Sequence, residues 1–140
     1  MTRIAICAPS RSICHEDAAR VAALAADFGG LDLHFHPQCF FEHGHFAGTD
    51  RQRLEALVEC ANDPAFDAVW FARGGYGSNR IAEDALARFD HAAQDKAYLG
   101  YSDSGYLLGG LYRQRIGRPV HAPMPVDVRR GGGEAAVRRV

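Results

Sequence analysis

A glycine-rich turn that ends in a serine holds the residues best suited to chemistry. Gly74, Gly75 and Gly77 precede Ser78, and residues 68–72 before them form a short apolar run. Such a run predicts a strand buried on both faces. Because the glycines lack a Cβ atom, the backbone can reverse sharply and leave N–H groups pointing outward. We therefore expect an exposed Ser78 hydroxyl at the tip of a strand-to-helix turn.

This turn is compatible with two kinds of chemistry. An exposed serine beside backbone N–H donors that could hold an oxyanion is the arrangement of a serine nucleophile. The sequence departs from the hydrolase pattern G-x-S-x-G, because position 80 is arginine. A glycine-rich turn that opens a helix can equally bind a phosphate. The local pattern leaves open a nucleophile, an anion-binding loop and an ordinary tight turn.

The apolar pattern predicts five strand-helix units around this turn. Alternating strands and helices indicate an α/β fold, with an open, mostly parallel sheet and helices on both faces in a Rossmann-like or flavodoxin-like three-layer arrangement. The predicted strands are residues 3–7, 31–35, 68–72, 97–100 and 119–122. The predicted helices run from about 15 to 28, from a capping box at Thr49 and Gln52 to Asp63, from Ser78, and from a cap at Ser102 and Asp103.

Three predicted turns directly follow strands and contain serines. They span residues 8–10, 74–78 and 101–103. The carboxyl ends of parallel strands meet at one edge of a sheet, and ligands of such folds bind at that edge. We therefore expect the three turns to converge on a single site.

Composition and charge argue against several classes of protein. The 140 residues suffice for one domain with a real core. The 16 basic and 17 acidic residues nearly balance, so nucleic acid is not the expected partner. No stretch approaches the roughly 20 apolar residues that span a bilayer, and the N-terminal apolar run is too short for a signal peptide. We expect a cytoplasmic protein without a membrane partner.

Neither the cysteines nor the histidines form a recognisable metal or redox motif. The four cysteines lack C-x-x-C spacing, and Cys7 and Cys60 fall in a predicted strand and helix, where small buried thiols are common. His43 and His45 lie in a long loop, residues 36–48, without a cysteine or carboxylate at familiar ligand spacing. We expect no metal and no cofactor, and we expect the phenylalanines of this loop to pack over the core or near the site.

Five segments of the chain together resemble a known family. They are APS after the first predicted strand, HGHFAGTDRQRLEAL, DAVWFARGGYGSNRI, LGYSDSGYLL and HAPM. At these residues the chain resembles the LD-carboxypeptidases and the related microcin-immunity peptidases, serine peptidases unrelated to the trypsin-like ones. The resemblance extends to about residue 125, and the arginine and tyrosine of the turn are more similar to the carboxypeptidase branch.

The resemblance implies an enzyme of cell-wall recycling that removes the terminal D-alanine from murein tetrapeptide by cutting an L,D-amide bond. Ser78 matches the family's nucleophile. The family's charge-relay glutamate and histidine belong to a C-terminal domain to which nothing here corresponds. We therefore expect residues 1–125 to be the nucleophile-bearing domain and 126–140 to begin a linker or truncated second domain. This piece should be inactive alone, unless His121 or His15 serves as the base.

The resemblance also implies roles for residues around Ser78. The backbone N–H groups of Gly75 and Asn79 are the expected oxyanion donors, and Tyr76 is expected to line the cleft. An edge meant to meet a second domain should leave exposed apolar surface that favours self-association. For the intact protein we expect a homodimer. The alternatives are a noncatalytic domain that binds a small molecule or phosphate, and a peptidase of the microcin-immunity type.

Three charged residues near the turn have expected roles as well. Arg73 either donates to backbone carbonyls or reaches the carboxylate of the peptide. Asp103 is expected to cap the helix that follows it and to hold its loop beside Ser78, rather than to act as a catalytic acid. Arg80 is unfavourable for the helix dipole in the first turn of its helix, which predicts a partner, either an acidic side chain or a substrate carboxylate.

Overall fold

The computed structural model describes residues 1–140 and contains a five-stranded sheet. The strands are β1 Thr2–Cys7, β2 Leu31–Phe35, β3 Ala68–Phe71, β4 Ala97–Gly100 and β5 Arg118–His121. Their order is β2-β1-β3-β4-β5, and every neighbouring pair is parallel. The predicted open parallel sheet is confirmed, and each strand lies within one residue of its predicted bounds.

Helices cover both faces of the sheet, as the sequence predicts. They are α1 His15–Ala26, α2 Asp50–Asn62, α3 Ser78–Ala87, α4 Gly105–Gln114 and α5 Gly133–Val137. On one face, Leu57 of α2, Ile81 of α3 and Leu107 of α4 join the same buried cluster as Val69 and Tyr98 of the sheet. On the other face, α1 and the C-terminal segment cover the sheet. None of these helices combines the length and apolarity needed to cross a membrane.

The sequence locates the start of α2 correctly and the start of α4 incorrectly. The Gln52 N–H donates to the Thr49 hydroxyl at 3.2 Å, and the Thr49 N–H donates to the Gln52 side chain at 2.9 Å, so the predicted capping box is present. By contrast, Ser102–Ser104 form a turn of 3₁₀ helix, and α4 begins only at Gly105 without a side-chain cap. The Asp103 carboxylate is therefore available to other partners.

The long loop of residues 36–48 folds back over the edge of the sheet that carries the three turns. It contains a 3₁₀ helix, Pro37–Phe40, whose buried Gln38 bonds to the backbone just after β1 through both atoms of its amide, at 3.1 and 2.8 Å. Phe46 packs against the glycine-rich turn, as expected for this loop. Phe41 differs from the expectation, because it remains 40% exposed.

Residues 126–140 pack against α1 on one face of the sheet. Val128 and Val137 are buried in the cluster on that face. Arg20 of α1 donates to the Val128 carbonyl at 2.7 Å and to the Glu134 carboxylate at 2.8 Å. The segment thus contributes to the core of this unit, and the predicted boundary at residue 125 stays a prediction.

A fully buried arginine in α2 fixes the ends of β1 and β3 relative to each other. Nη1 of Arg53 donates to the Pro9 carbonyl at 2.7 Å and to the Gly77 carbonyl at 2.9 Å. Its Nη2 pairs with the Asp50 carboxylate, and its guanidinium lies 4.6 Å from the ring centre of Phe46. Burial lowers the pKa of Arg53, and the Asp50 charge opposes this effect. The Arg53 side chain therefore cross-links the turn after β1 to the glycine-rich turn before α3.

We expect Arg53→Met to lower the free energy of unfolding by about 3 kcal/mol, because the buried carbonyls of Pro9 and Gly77 lose their donor. Denaturation by urea measures the change. Arg51→Met is the matched control, since Arg51 lies exposed in the same helix and should stay within about 0.5 kcal/mol of the wild type. Equal stability of both variants would contradict the role of Arg53 in cross-linking the two turns.

Candidate active site

The turns after β1, β3 and β4 meet at one edge of the sheet, as predicted. The chain leaves β1 toward β2 on one side and leaves β3 toward β4 on the other, so a crevice opens between β1 and β3. Ser10 follows β1 and Ser78 is the first residue of α3, and both donate hydrogen bonds to Asp103, which follows β4. The candidate site therefore lies at the topological switch point of the sheet.

The Asp103 carboxylate caps α3 and not α4, which corrects the expectation from sequence. Asp103 is 7% exposed, and its Oδ2 accepts from the Ser78 N–H at 2.9 Å and from the Ser10 hydroxyl. The N-cap position of α3 is Gly77, which has no side chain that could accept from the free N–H groups of the first turn. Asp103 supplies this acceptor from another loop and, as expected, holds that loop beside Ser78.

The Ser78 hydroxyl is buried, whereas an exposed hydroxyl is expected from the sequence. Its exposed fraction is 0%, and Oγ donates to the Asp103 main-chain carbonyl at 2.6 Å. The turn before it is also covered. A Cβ atom at Gly77 would lie 2.9 Å from the Phe46 ring and 2.8 Å from Arg53 Nη1, and Gly77 has a φ of +131°. The side chains of α2 and the long loop thus close over a position that a sequence pattern places at the surface.

Gly75, Tyr76 and Asn79 lie at the surface around this turn. Gly75 has a φ of +121°, which favours glycine, and neither its N–H nor that of Asn79 makes a hydrogen bond to another backbone group. Tyr76 is 45% exposed, and its ring centre lies 6.0 Å from that of Phe46 and 6.2 Å from that of His45. Backbone donors and an aromatic side chain therefore surround the turn, with Ser78 behind them.

Arg73 and Arg80 have the partners that their environments require. Arg73 is half-buried and donates to the Ser12 carbonyl at 3.2 Å, in agreement with the first of its two expected roles. Arg80 forms a bidentate pair with Asp50, with Nε–Oδ1 at 2.9 Å and Nη2–Oδ2 at 2.7 Å. The bond from Arg80 is the main reason that the pKa of Asp50 is lowered. The expected partner of Arg80 is thus an acidic side chain.

The two histidines considered as local bases contact other groups. The ring of His15 stacks on Phe40 with centroids 3.9 Å apart, and the ring of His121 lies 5.8 Å from that of Tyr101. The Ser78 hydroxyl bonds to neither imidazole, since it donates to a carbonyl. The structure therefore does not assemble a serine–histidine pair within these residues.

Sequence reasoning missed Arg53 as a residue of the site. The signal was present, because Arg53 falls on the same helical stripe as Ala56, Leu57 and Cys60, which are all buried. An arginine on an apolar stripe must either reach solvent or find several acceptors, since burying an unpaired charge is costly. Arg53 finds its acceptors in the two turns that form the crevice.

Comparison with known proteins gives matches along most of the sequence. A family model described as the LD-carboxypeptidase N-terminal domain matches residues 4–122. The murein tetrapeptide carboxypeptidase of Pseudomonas aeruginosa is 31% identical over 122 residues, which are 87% of this chain and 39% of that protein. A putative carboxypeptidase of Streptomyces coelicolor is 35% identical over 132 residues, or 90% of this chain and 41% of that protein. The chain thus spans about two fifths of the length of these relatives.

Solved structures share the fold. The muramoyltetrapeptide carboxypeptidase from Oxalobacter formigenes superposes with a TM-score of 0.70 at 25% identity, over 89% of this chain and 40% of that one. The microcin C7 self immunity protein in its wild-type apo state superposes with a TM-score of 0.65 at 21% identity, over 81% and 34% of the two chains, and shows a common fold alone. From the family model and the relatives together, this chain belongs to the LD-carboxypeptidase family and corresponds to its N-terminal domain.

Proposed function

We propose that this chain is the nucleophile-bearing part of a serine LD-carboxypeptidase that releases the terminal D-alanine of murein tetrapeptide during cell-wall recycling. One observation carries the proposal. Ser78 begins a helix at the switch point of the sheet, and a buried carboxylate from a third turn fixes its backbone. The relatives named as carboxypeptidases support the peptide substrate. A cytoplasmic location and a homodimer of the intact protein belong to the same proposal.

In the proposed reaction, Ser78 Oγ attacks the carbonyl carbon of the L,D-amide and transfers its proton to a base. The tetrahedral intermediate collapses to an acyl-enzyme as protonated D-alanine leaves, and water then hydrolyses the ester and regenerates the hydroxyl. The hydroxyl now donates to the Asp103 carbonyl, so attack requires that it exchange this bond for one to the base. Such an exchange costs little when the new bond is equivalent, because one hydrogen bond replaces another. The base and its orienting carboxylate would come from the family's C-terminal domain.

The proposed oxyanion donors are the backbone N–H groups of Gly75 and Asn79. The N–H of Ser78 already donates to Asp103, so it is not available to an oxyanion. Those of Gly75 and Asn79 have no backbone acceptor and lie at the surface of the turn. Donors that need not break an internal bond are preorganised for developing negative charge. In this proposal Asp103 is a positioning residue: it binds the Ser78 N–H, and the amides of Gly75 and Asn79 remain as donors.

The hydrogen bond from the Ser78 N–H to the Asp103 carboxylate argues against a phosphate-binding loop. Such a loop offers the first N–H groups and the positive dipole end of a helix to an anion. At α3, a buried carboxylate already accepts from the first of these N–H groups, and its negative charge would repel a phosphate placed beside it. The Asp103 carboxylate therefore occupies the position at which the phosphate-binding alternative would place its anion.

The release of D-alanine tests the proposed activity. We expect a version that includes the C-terminal domain to release D-alanine from murein tetrapeptide, and we expect Ser78→Ala to abolish this release. The 140-residue chain should be inactive, because no histidine bonds to the serine hydroxyl. Activity of the short chain would mean that a local histidine serves as the base, with His121 as the first candidate.

The same assay separates the two branches of the family. Aspartyl sulfamoyl adenosine, bound by a microcin C7 self immunity protein of similar fold, is the competing substrate. Cleavage of this compound without release of D-alanine would indicate a peptidase of the microcin-immunity type. Failure to cleave either substrate would contradict the peptidase proposal.

Substitutions at Asp103 test its positioning role. We expect Asp103→Ala to lower the free energy of unfolding of the 140-residue chain by about 2–3 kcal/mol, because a buried N–H and a buried hydroxyl lose their acceptor. Asp103→Asn should lose about half as much, since a neutral oxygen still accepts. Asp84→Ala, at an exposed position of α3, is the matched control. In the longer protein, Asp103→Asn should lower kcat and leave KM unchanged, whereas a purely structural role would leave both unchanged in the folded fraction.

A further inference from the structure

A cavity of about 350 Å³ adjoins the glycine-rich turn. Its wall contains the backbone of Gly74 and Gly75 and the side chains of Arg73, Arg129 and Arg130. The three arginines come from two segments about 55 residues apart in sequence, the end of β3 and the segment after β5. The fold thus brings three guanidinium groups together beside the glycine-rich turn that precedes Ser78.

The positive charge of this cavity exceeds the negative charge around it. Arg73 has a carbonyl partner and no carboxylate. Arg129 Nε lies 2.5 Å from the buried Asp17 carboxylate, and Arg130 Nε lies 3.5 Å from Asp127, while 71% of the Arg130 side chain is exposed. Burial and the like charges of Arg11 and Arg129 lower the pKa of Arg73.

The acidic groups near the cavity are already occupied. Asp127 accepts from the Tyr101 hydroxyl at 2.9 Å and from the Met124 N–H at 2.8 Å, so its carboxylate is largely satisfied before Arg130 approaches. Asp17 is 3% exposed and holds a single arginine. Arg73 therefore has no carboxylate partner, and Arg130 shares the single carboxylate of Asp127 with two neutral donors.

A strained residue, Ser102, also lines this cavity. Ser102 has a φ of +58°, which is uncommon for a residue with a side chain. Its hydroxyl lies 3.2 Å from where a Cβ atom of Gly74 would stand, so Gly74 lets the two loops approach closely. Strain of this kind persists where the surrounding structure enforces it, often at ligand sites. The Ser102 backbone places its own side chain at the cavity and Asp103 against Ser78.

We propose that this cavity binds the free terminal carboxylate of the peptide, with Arg73 and Arg130 as its ligands, and so restricts cleavage to the last residue. The inference rests on the proposed peptidase function, because that function supplies the carboxylate. Guanidinium groups bind planar carboxylates through two parallel hydrogen bonds. Met124 and Val126 give the cavity an apolar side that suits the methyl group of alanine. Gly75 lines the cavity and also carries a proposed oxyanion donor, which connects the carboxylate site to the site of cleavage.

Calorimetric titration of the 140-residue chain tests this site without any turnover. The probes are murein tetrapeptide and its C-terminal amide, which lacks only the terminal negative charge. We expect the free acid to bind at least tenfold more tightly than the amide, with a difference that shrinks at high salt. Arg130→Met should abolish the difference, and this exposed residue can be replaced without loss of folding. Arg73→Met should do the same, with circular dichroism as a check on folding.

Arg113→Met is the control, since Arg113 is exposed on α4 and does not line this cavity. Equal affinity for acid and amide, or a preference that survives Arg130→Met, would overturn the carboxylate site. Absence of binding by either peptide would overturn it as well. None of these results would bear on whether Ser78 is needed for release of D-alanine by the longer protein, so failure of this inference is distinct from failure of the proposed function.

Discussion

The carboxylate of Asp103 is the contact on which the arrangement of the site depends. It is buried, and it accepts hydrogen bonds from the turn after β1 and from the first amide of α3. On the other side of the same turns, the buried guanidinium of Arg53 donates to carbonyls after β1 and before α3. Asp103 accepts from polar groups of the turns, and Arg53 bonds to two turn carbonyls as well as to the Asp50 carboxylate. Because a buried charge without partners is costly, the turns are held in the geometry that supplies these partners.

The same hydrogen bonds stabilise the turns and fix the position of the proposed nucleophile. The contacts that bury Ser78 also fix its amide and direct its hydroxyl to a carbonyl. Under the proposed function, a serine held in this way is not activated, since its proton points to a carbonyl that cannot take it up as a base would. In our account, the isolated unit keeps the nucleophile in a resting state, and a base from elsewhere in the intact enzyme converts it to a reactive one.

The sequence predicts the framework well because its signals are local. Alternating apolar runs and a capping box at Thr49 locate the strands and α2, and the parallel order follows from the strand-helix alternation. The convergence of three turns on one edge is a further consequence of parallel strands. The family resemblance adds Ser78 as the candidate nucleophile, which no local pattern distinguishes from an anion-binding serine.

The details of the site are not predictable from sequence because they depend on contacts between distant segments. A local rule assigns Asp103 to the helix that follows it, whereas the carboxylate caps a helix that begins 25 residues earlier. Ser78 is buried where its amide and hydroxyl bond to Asp103, and Phe46 and Arg53 cover the preceding Gly77. The arginine-lined cavity is formed by the end of β3 and the segment after β5, so neither segment alone indicates it.

Amide hydrogen exchange at Ser78 tests the central claim most directly. If Asp103 fixes the start of α3, the buried Ser78 N–H should exchange only through global unfolding, with an opening free energy equal to the stability of the whole domain. The neighbouring N–H of Asn79, exposed and without a backbone acceptor, should exchange rapidly. Exchange of Ser78 as fast as that of Asn79 would show that the turn opens independently of the core, and it would contradict the account.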